Sequence, residues 1–159
     1  MKIKINSLEY QCWHEVGHAI VCLYLGGDVK FIEFSEDDFQ KGLAKTRCET
    51  TPNIRPYVLC GGFATEYVLW KKGFLFTVDE SKFIQIIFRN ATYDREMFLN
   101  KTKHDKITQE DDENFMSFSV KKVAPIINKH LRSMEKIVME LRSLKRIDNI
   151  KIKEILNKK

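Results

Sequence analysis

The sequence predicts a mainly α domain with one small β-hairpin. Three observations point there. Apolar residues near the N-terminus recur at helical spacing behind a capping signal. A single β-branched and aromatic stretch follows. Helical periodicity then fills most of the remaining chain. At 159 residues the chain is about one domain by length. We divide it into a core over 1–99, a polar loop over 100–112 expected to be mobile, and a helical C-terminal part over 113–159.

Asn6-Ser7-Leu8-Glu9 reads as a helix start, with Asn6 as N-cap and Glu9 closing a capping box. Leu8, Cys12, Trp13, Val16, Ala19, Ile20, Leu23 and Tyr24 keep the helical rhythm, and Gly26-Gly27 stops it. Val29 to Phe34 reads as a strand, the polar run 35–42 as a turn, and Leu43 to Cys48 as the return strand. After the break at Thr50-Thr51-Pro52-Asn53, a second helix is predicted from Pro56 to Trp70. A third runs from Asp79 to about Leu99, with Phe83, Ile86 and Ile87 on its apolar side. The pattern is helical again from Glu113 to Leu144, with Pro125 marking a kink or boundary, and a short helix follows Asp148.

Composition narrows the function classes. Apolar residues at 43% and charged residues at 31% exclude a disordered chain, and 7 Gly with 3 Pro exclude a collagen-like one. The longest apolar run, Ala19 to Leu25, falls far short of the ~18 residues of a membrane span. The first residues carry no apolar core of secretory length, so a cytoplasmic protein is expected. Cys12, Cys22, Cys48 and Cys60 form no C-x-x-C pair and read as buried, reduced thiols. From Asn114 to Lys159, 12 Lys/Arg stand against 4 Asp/Glu. This basic segment has no interleaved aromatics, which argues for a solvated helix face and against nucleic-acid binding.

One motif carries specific chemistry. In His14-Glu15-Val16-Gly17-His18 the two histidines lie four apart, on one face of a helix, where both imidazoles can reach one metal ion. Zinc takes imidazole nitrogen, and three protein ligands leave a position for water. Glu15, between the ligands, is placed to take a proton from that water. The third ligand must come from elsewhere, and Glu66, Asp79, Glu80, Glu96, His104, Asp105 and His130 are the candidates. Asp79 opens the third predicted helix, where an N-cap role would be ordinary.

Trp13 to Val21 resembles the HEAGHA helix of the peptidase domain of FtsH-type ATP-dependent zinc proteases. Leu59-Cys60-Gly61-Gly62-Phe63-Ala64-Thr65-Glu66 is similar to that family's LLGGRAAE helix. Thr77-Val78-Asp79-Glu80 falls where the family has S-N-D-I/L, and 141–156 resembles its closing segment. The resemblance implies a zincin-like metallopeptidase domain, with His14, His18 and Asp79 as zinc ligands and Glu15 as general base. Glu66 matches a family acidic position that is not a ligand, and we expect it to hold an imidazole N–H. Gly61-Gly62 is expected to let the second helix pack closely on the first.

The family's ATPase module and membrane spans have no counterpart here, and no G-x-x-x-x-G-K-[ST] occurs. The expected activity is therefore ATP-independent hydrolysis of peptide bonds in unfolded or flexible polypeptides. A separate unfoldase or adaptor could deliver other substrates, and oligomers are compatible with the resemblance. An extended substrate is expected to add to the edge of the first strand, at Val29, Phe31, Ile32 and Glu33. The competing expectation is a zinc-binding interaction module with little or no proteolysis, acting through the basic C-terminal helices.

Overall fold

The computed structural model describes residues 2–34, 44–76 and 79–157. Helix α1 spans Leu8–Tyr24 and lies at the centre of the fold. Its N-cap is Ser7, one residue later than expected, with the hydroxyl accepting from the Tyr10 N–H at 3.2 Å. The reason is Asn6, whose φ of 61° turns the chain into the helix and leaves Ser7 extended. Asn6 instead accepts, through its side-chain oxygen, from Asn90 Nδ2 at 2.8 Å. At the other end Gly26 takes φ 88°, and the Gly27 N–H returns to the Cys22 carbonyl at 2.8 Å.

The hairpin forms from β1 (Asp28–Phe34) and β2 (Ala44–Glu49), antiparallel, with Ile32 opposite Thr46 and Val29 opposite Cys48. The expected turn over 35–42, and Leu43, lie outside the described residues. A third strand was not expected: β3 (Arg146–Asp148) pairs antiparallel with the other edge of β1, Ile32 opposite Ile147. Three residues inside a basic, helix-rich segment give too short a pattern for alternation to register. The sheet order is β2-β1-β3, so β1 is the central strand. That corrects the substrate-edge expectation. Both edges of β1 are taken over Phe31–Glu33, and Val29 and Ile32 are fully buried.

The second predicted helix is two, α2 (Arg55–Leu59) and α3 (Gly61–Lys71), parted at Cys60. The third is also two, α4 (Glu80–Asn90) and α5 (Thr92–Leu99), parted at Ala91. The C-terminal part runs as α6 (Gln109–Phe118), a π-helical turn at Ser119–Val123, α7 (Ala124–Lys129), α8 (Leu131–Leu144) and α9 (Asn149–Asn157). Pro125, which has no N–H to give the preceding turn, sits just after the π-turn and accounts for the break expected there. The polar segment 100–112 carries its own side-chain hydrogen bonds. Lys101 Nζ donates to Asp111 Oδ2 at 2.6 Å and to the Lys106 carbonyl at 2.9 Å, and Thr108 and Asp111 form a capping box.

The core has α1 against the sheet on one side and α3 and α8 on others, with an aromatic cluster of Phe63, Phe88, Phe98 and Phe115 beneath α3. Cys12, Cys22 and Cys60 are buried, Cys48 is half-buried, and all four are free thiols. The α1–α3 contact is as close as backbone allows. A Cβ on Gly17 would stand 2.5 Å from the Gly61 carbonyl oxygen, and one on Gly61 2.7 Å from that of Gly17. A Cβ on Gly62 would strike the His14 imidazole. Gly61→Ala should therefore destabilise the fold by about 1–3 kcal/mol, the usual scale of overpacking. A thermal melt within a degree of the parent protein would contradict this contact.

Candidate metal centre

His14 and His18 stand on successive turns of α1, facing α3 and α5. Each ring is fixed through its Nδ1. His14 Nδ1 lies 2.6 Å from Glu66 Oε2, and His18 Nδ1 lies 2.6 Å from the Val58 carbonyl oxygen. Both partners only accept, so each Nδ1 carries a proton and both Nε2 atoms point inward. Glu66 is fully buried on α3, and its second oxygen accepts from Asn90 Nδ2 at 2.7 Å. This is the imidazole-holding role expected of Glu66. Tyr10, buried nearby, carries a phenol whose pKa is raised by burial and by the Glu66 charge.

The third group is Asp94, in the first turn of α5. Its Oδ2 lies 3.3 Å from His14 Nε2 and 3.1 Å from His18 Nε2, and the two Nε2 atoms are 3.3 Å apart. Ligands held at 2.0–2.1 Å by one tetrahedral ion are separated by about 3.3–3.4 Å. Three lone-pair donors at those separations make a socket for a cation. Among the described residues, His14, His18 and Asp94 are the group able to hold a metal ion.

Asp79, the ligand the resemblance implied, is outside this group. It is exposed and caps α4, accepting from the Lys82 N–H at 2.8 Å. The cap role that any Asp can fill before a helix is the one it has. Glu80, His104 and Asp105 are exposed, and His130 turns its Nδ1 to the Ile126 carbonyl at 2.8 Å. Asp94 was missed because the family pattern S-N-D-I/L has two registers on this chain. Thr77-Val78-Asp79 and Thr92-Tyr93-Asp94 both keep a hydroxyl residue two places before the Asp. Thr77 and Val78 lie outside the described residues.

Electrostatics bind the group together. Burial opposes charge on His14, but its hydrogen bonds to Asp94 and Glu66 outweigh that and raise its pKa well above the ordinary value. Burial likewise opposes charge on His18, and Asp94 more than offsets it. Burial pushes the Asp94 carboxyl up, while the charge of His18 and hydrogen bonds to both imidazoles hold it far below the usual carboxylate range.

Glu15 faces the neighbouring cleft from α1. The Thr46 hydroxyl on β2 lies 2.8 Å from Glu15 Oε2 and 2.7 Å from the Glu15 main-chain oxygen, which orients the carboxylate. The cleft has a volume of about 460 Å³ and runs between β2, α2 and α5, with Glu15, His18, Thr46, Val58, Tyr93 and Asp94 in its lining. Comparison with models of known protein families and with curated proteins finds no match. No described helix is long and apolar enough to cross a membrane.

Native mass spectrometry after metal loading should find about one ion per chain. Asp94→Asn should weaken that binding at least tenfold, since losing even an outer partner of a ligand costs 10–100-fold. Asp79→Ala should leave it unchanged, and the reverse result would move the third ligand to Asp79. Because raised histidine pKa values extend proton occupancy above the usual range, metal must displace protons from Nε2. Apparent affinity should therefore fall as pH drops from 8 to 6, and a flat profile by competition titration would refute the proton–metal exchange.

Proposed function

We propose that this chain is a zinc metallopeptidase with a zincin-like site, related to the FtsH-type peptidase domain, that cleaves unfolded or flexible polypeptides. The observation that carries the reading is the triangle of His14, His18 and Asp94 with the Glu15 carboxylate in the same cleft. Two imidazoles and one carboxylate suit zinc and leave room for a further oxygen. The same donor set serves non-haem iron oxygenases. A carboxylate oriented beside the triangle by a hydroxyl is what hydrolysis needs, and it favours zinc.

Bound zinc would supply Lewis acidity, polarising a scissile carbonyl and acidifying a water molecule. The chain's own groups then have distinct tasks. The Glu15 carboxylate would take one proton from that water and return it to the leaving amine, with the Thr46 hydroxyl holding Oε2 in place. Glu66 and the Val58 carbonyl keep both imidazoles in the ligating tautomer. Among the described residues β2 pairs on one side only, with β1, so its outer edge is open to an extended chain. Thr46 lies on that strand, so a peptide laid along it passes Glu15.

Glu15→Gln should keep the metal and the fold and lose cleavage of a disordered protein such as casein by 100-fold or more, the scale of a general acid–base group. Chelation should silence the parent protein in the same assay. A metal-loaded parent that cleaves nothing would give the lead to the interaction-module reading.

A further inference from the structure

The cleft beside the metal group carries four charged side chains: Glu15, Asp94, Lys45 and Arg55. Three already have partners. Glu15 holds the Thr46 hydroxyl, Asp94 faces both imidazoles, and Lys45 Nζ pairs with Glu33 Oε1 at 3.3 Å. The exposed Arg55 guanidinium has no carboxylate partner among the described residues. A surface arginine is normally a solvated charge. This one opens into the same cleft as the Glu15 carboxylate.

Its backbone is fixed. The Arg55 N–H donates to the Thr51 carbonyl at 3.0 Å, and Pro56 follows in the first turn of α2. One turn on, Val58 gives its carbonyl to His18 Nδ1. Residues three apart share a helix face, so one short helix presents both the atom that orients a metal ligand and this cation. Val58 and Leu59 give this wall an apolar floor, and Tyr93 lines the cleft from α5. A guanidinium stays charged at any working pH, and its fork of N–H donors matches a carboxylate in two parallel hydrogen bonds.

We propose that Arg55 makes this end of the cleft a carboxylate subsite, so that preferred substrates carry an acidic side chain or a free C-terminal carboxylate close to the bond that is cut. The cutting rests on the peptidase reading above; the binding of the carboxylate does not.

The two are separated by measuring binding and cleavage on the same peptides. Three fluorescent peptides suffice: one with a central Glu and an amidated C-terminus, its Gln counterpart, and the Gln peptide with a free C-terminal carboxylate. Fluorescence anisotropy on metal-loaded Glu15→Gln should show one of the carboxylate peptides bound about tenfold tighter than the neutral one, the scale of a hydrogen bond to a charged group. Which one wins identifies the source of the carboxylate. Adding Arg55→Ala should erase the difference, and Arg55→Lys should restore part of it. Arg55 is exposed, so metal content and melting temperature should match the parent. Equal binding of all three peptides, or a preference that survives Arg55→Ala, overturns the subsite. Arg55-dependent binding without cleavage by the parent protein supports the subsite and overturns the peptidase reading instead.

Discussion

Everything at this site depends on how closely α3 can approach α1. Gly17 and Gly61 are in backbone contact, Thr65 Oγ1 lies against Gly17, and Gly62 sits under the His14 ring, so the helices meet at main-chain distance. Only at that separation can the short Glu66 side chain reach His14 Nδ1 at 2.6 Å. A fully buried carboxylate is costly unless paired, and Glu66 is paired on both oxygens, by His14 and by Asn90. Asn90 in turn donates to Asn6, so the turn before α1, the end of α4 and the middle of α3 are joined by three polar side chains. The glycines are steric requirements, and the polar chain is what they make room for.

The two imidazoles are held by unlike acceptors, and the difference has chemical weight. His14 leans on a carboxylate and His18 on a main-chain carbonyl. A carboxylate partner makes the ligating nitrogen more electron-rich, so His14 is the stronger donor of the pair. Asp94 comes from a helix that begins only because α4 breaks at Ala91. The break lets a first-turn carboxylate project into the gap, where the helix dipole also favours negative charge. Four segments distant in sequence thus converge on a few ångströms of space.

The parts of this arrangement that could be read in the sequence are those set by local rules. The helix bearing His14 and His18 follows from spacing and stop signals over a few residues, and so does the role of Gly61-Gly62. Glu66 could be assigned only through the resemblance, which has an acidic residue at its position. Asp94 could not, since the pattern puts it inside one helix running from Asp79 to about Leu99, and only the break at Ala91 and the packing of α5 against α2 bring it to the histidines. The helix breaks at Cys60 and Ala91 were hidden for a similar reason: neither residue is a breaker by propensity, and tertiary packing imposes the turn. The strand at 146–148 is non-local, made by its partner and not by its own residues.

That last strand has a consequence for how the molecule comes into being. Ile147 must find Ile32 across 115 positions of chain, and Asn149 then ties its side chain to the Val29 carbonyl at 2.8 Å. Loop closure over such a length is an entropic cost met before any pairing energy is gained. The histidine helix, the glycine helix and Asp94 can associate earlier, because their separations are shorter and their contacts are helical. Until β3 arrives, one edge of β1 stays open, and an open hydrophobic strand edge invites pairing with another chain. The histidine and glycine helices can thus meet before the sheet is sealed, and the exposure of that edge of β1 ends when β3 docks.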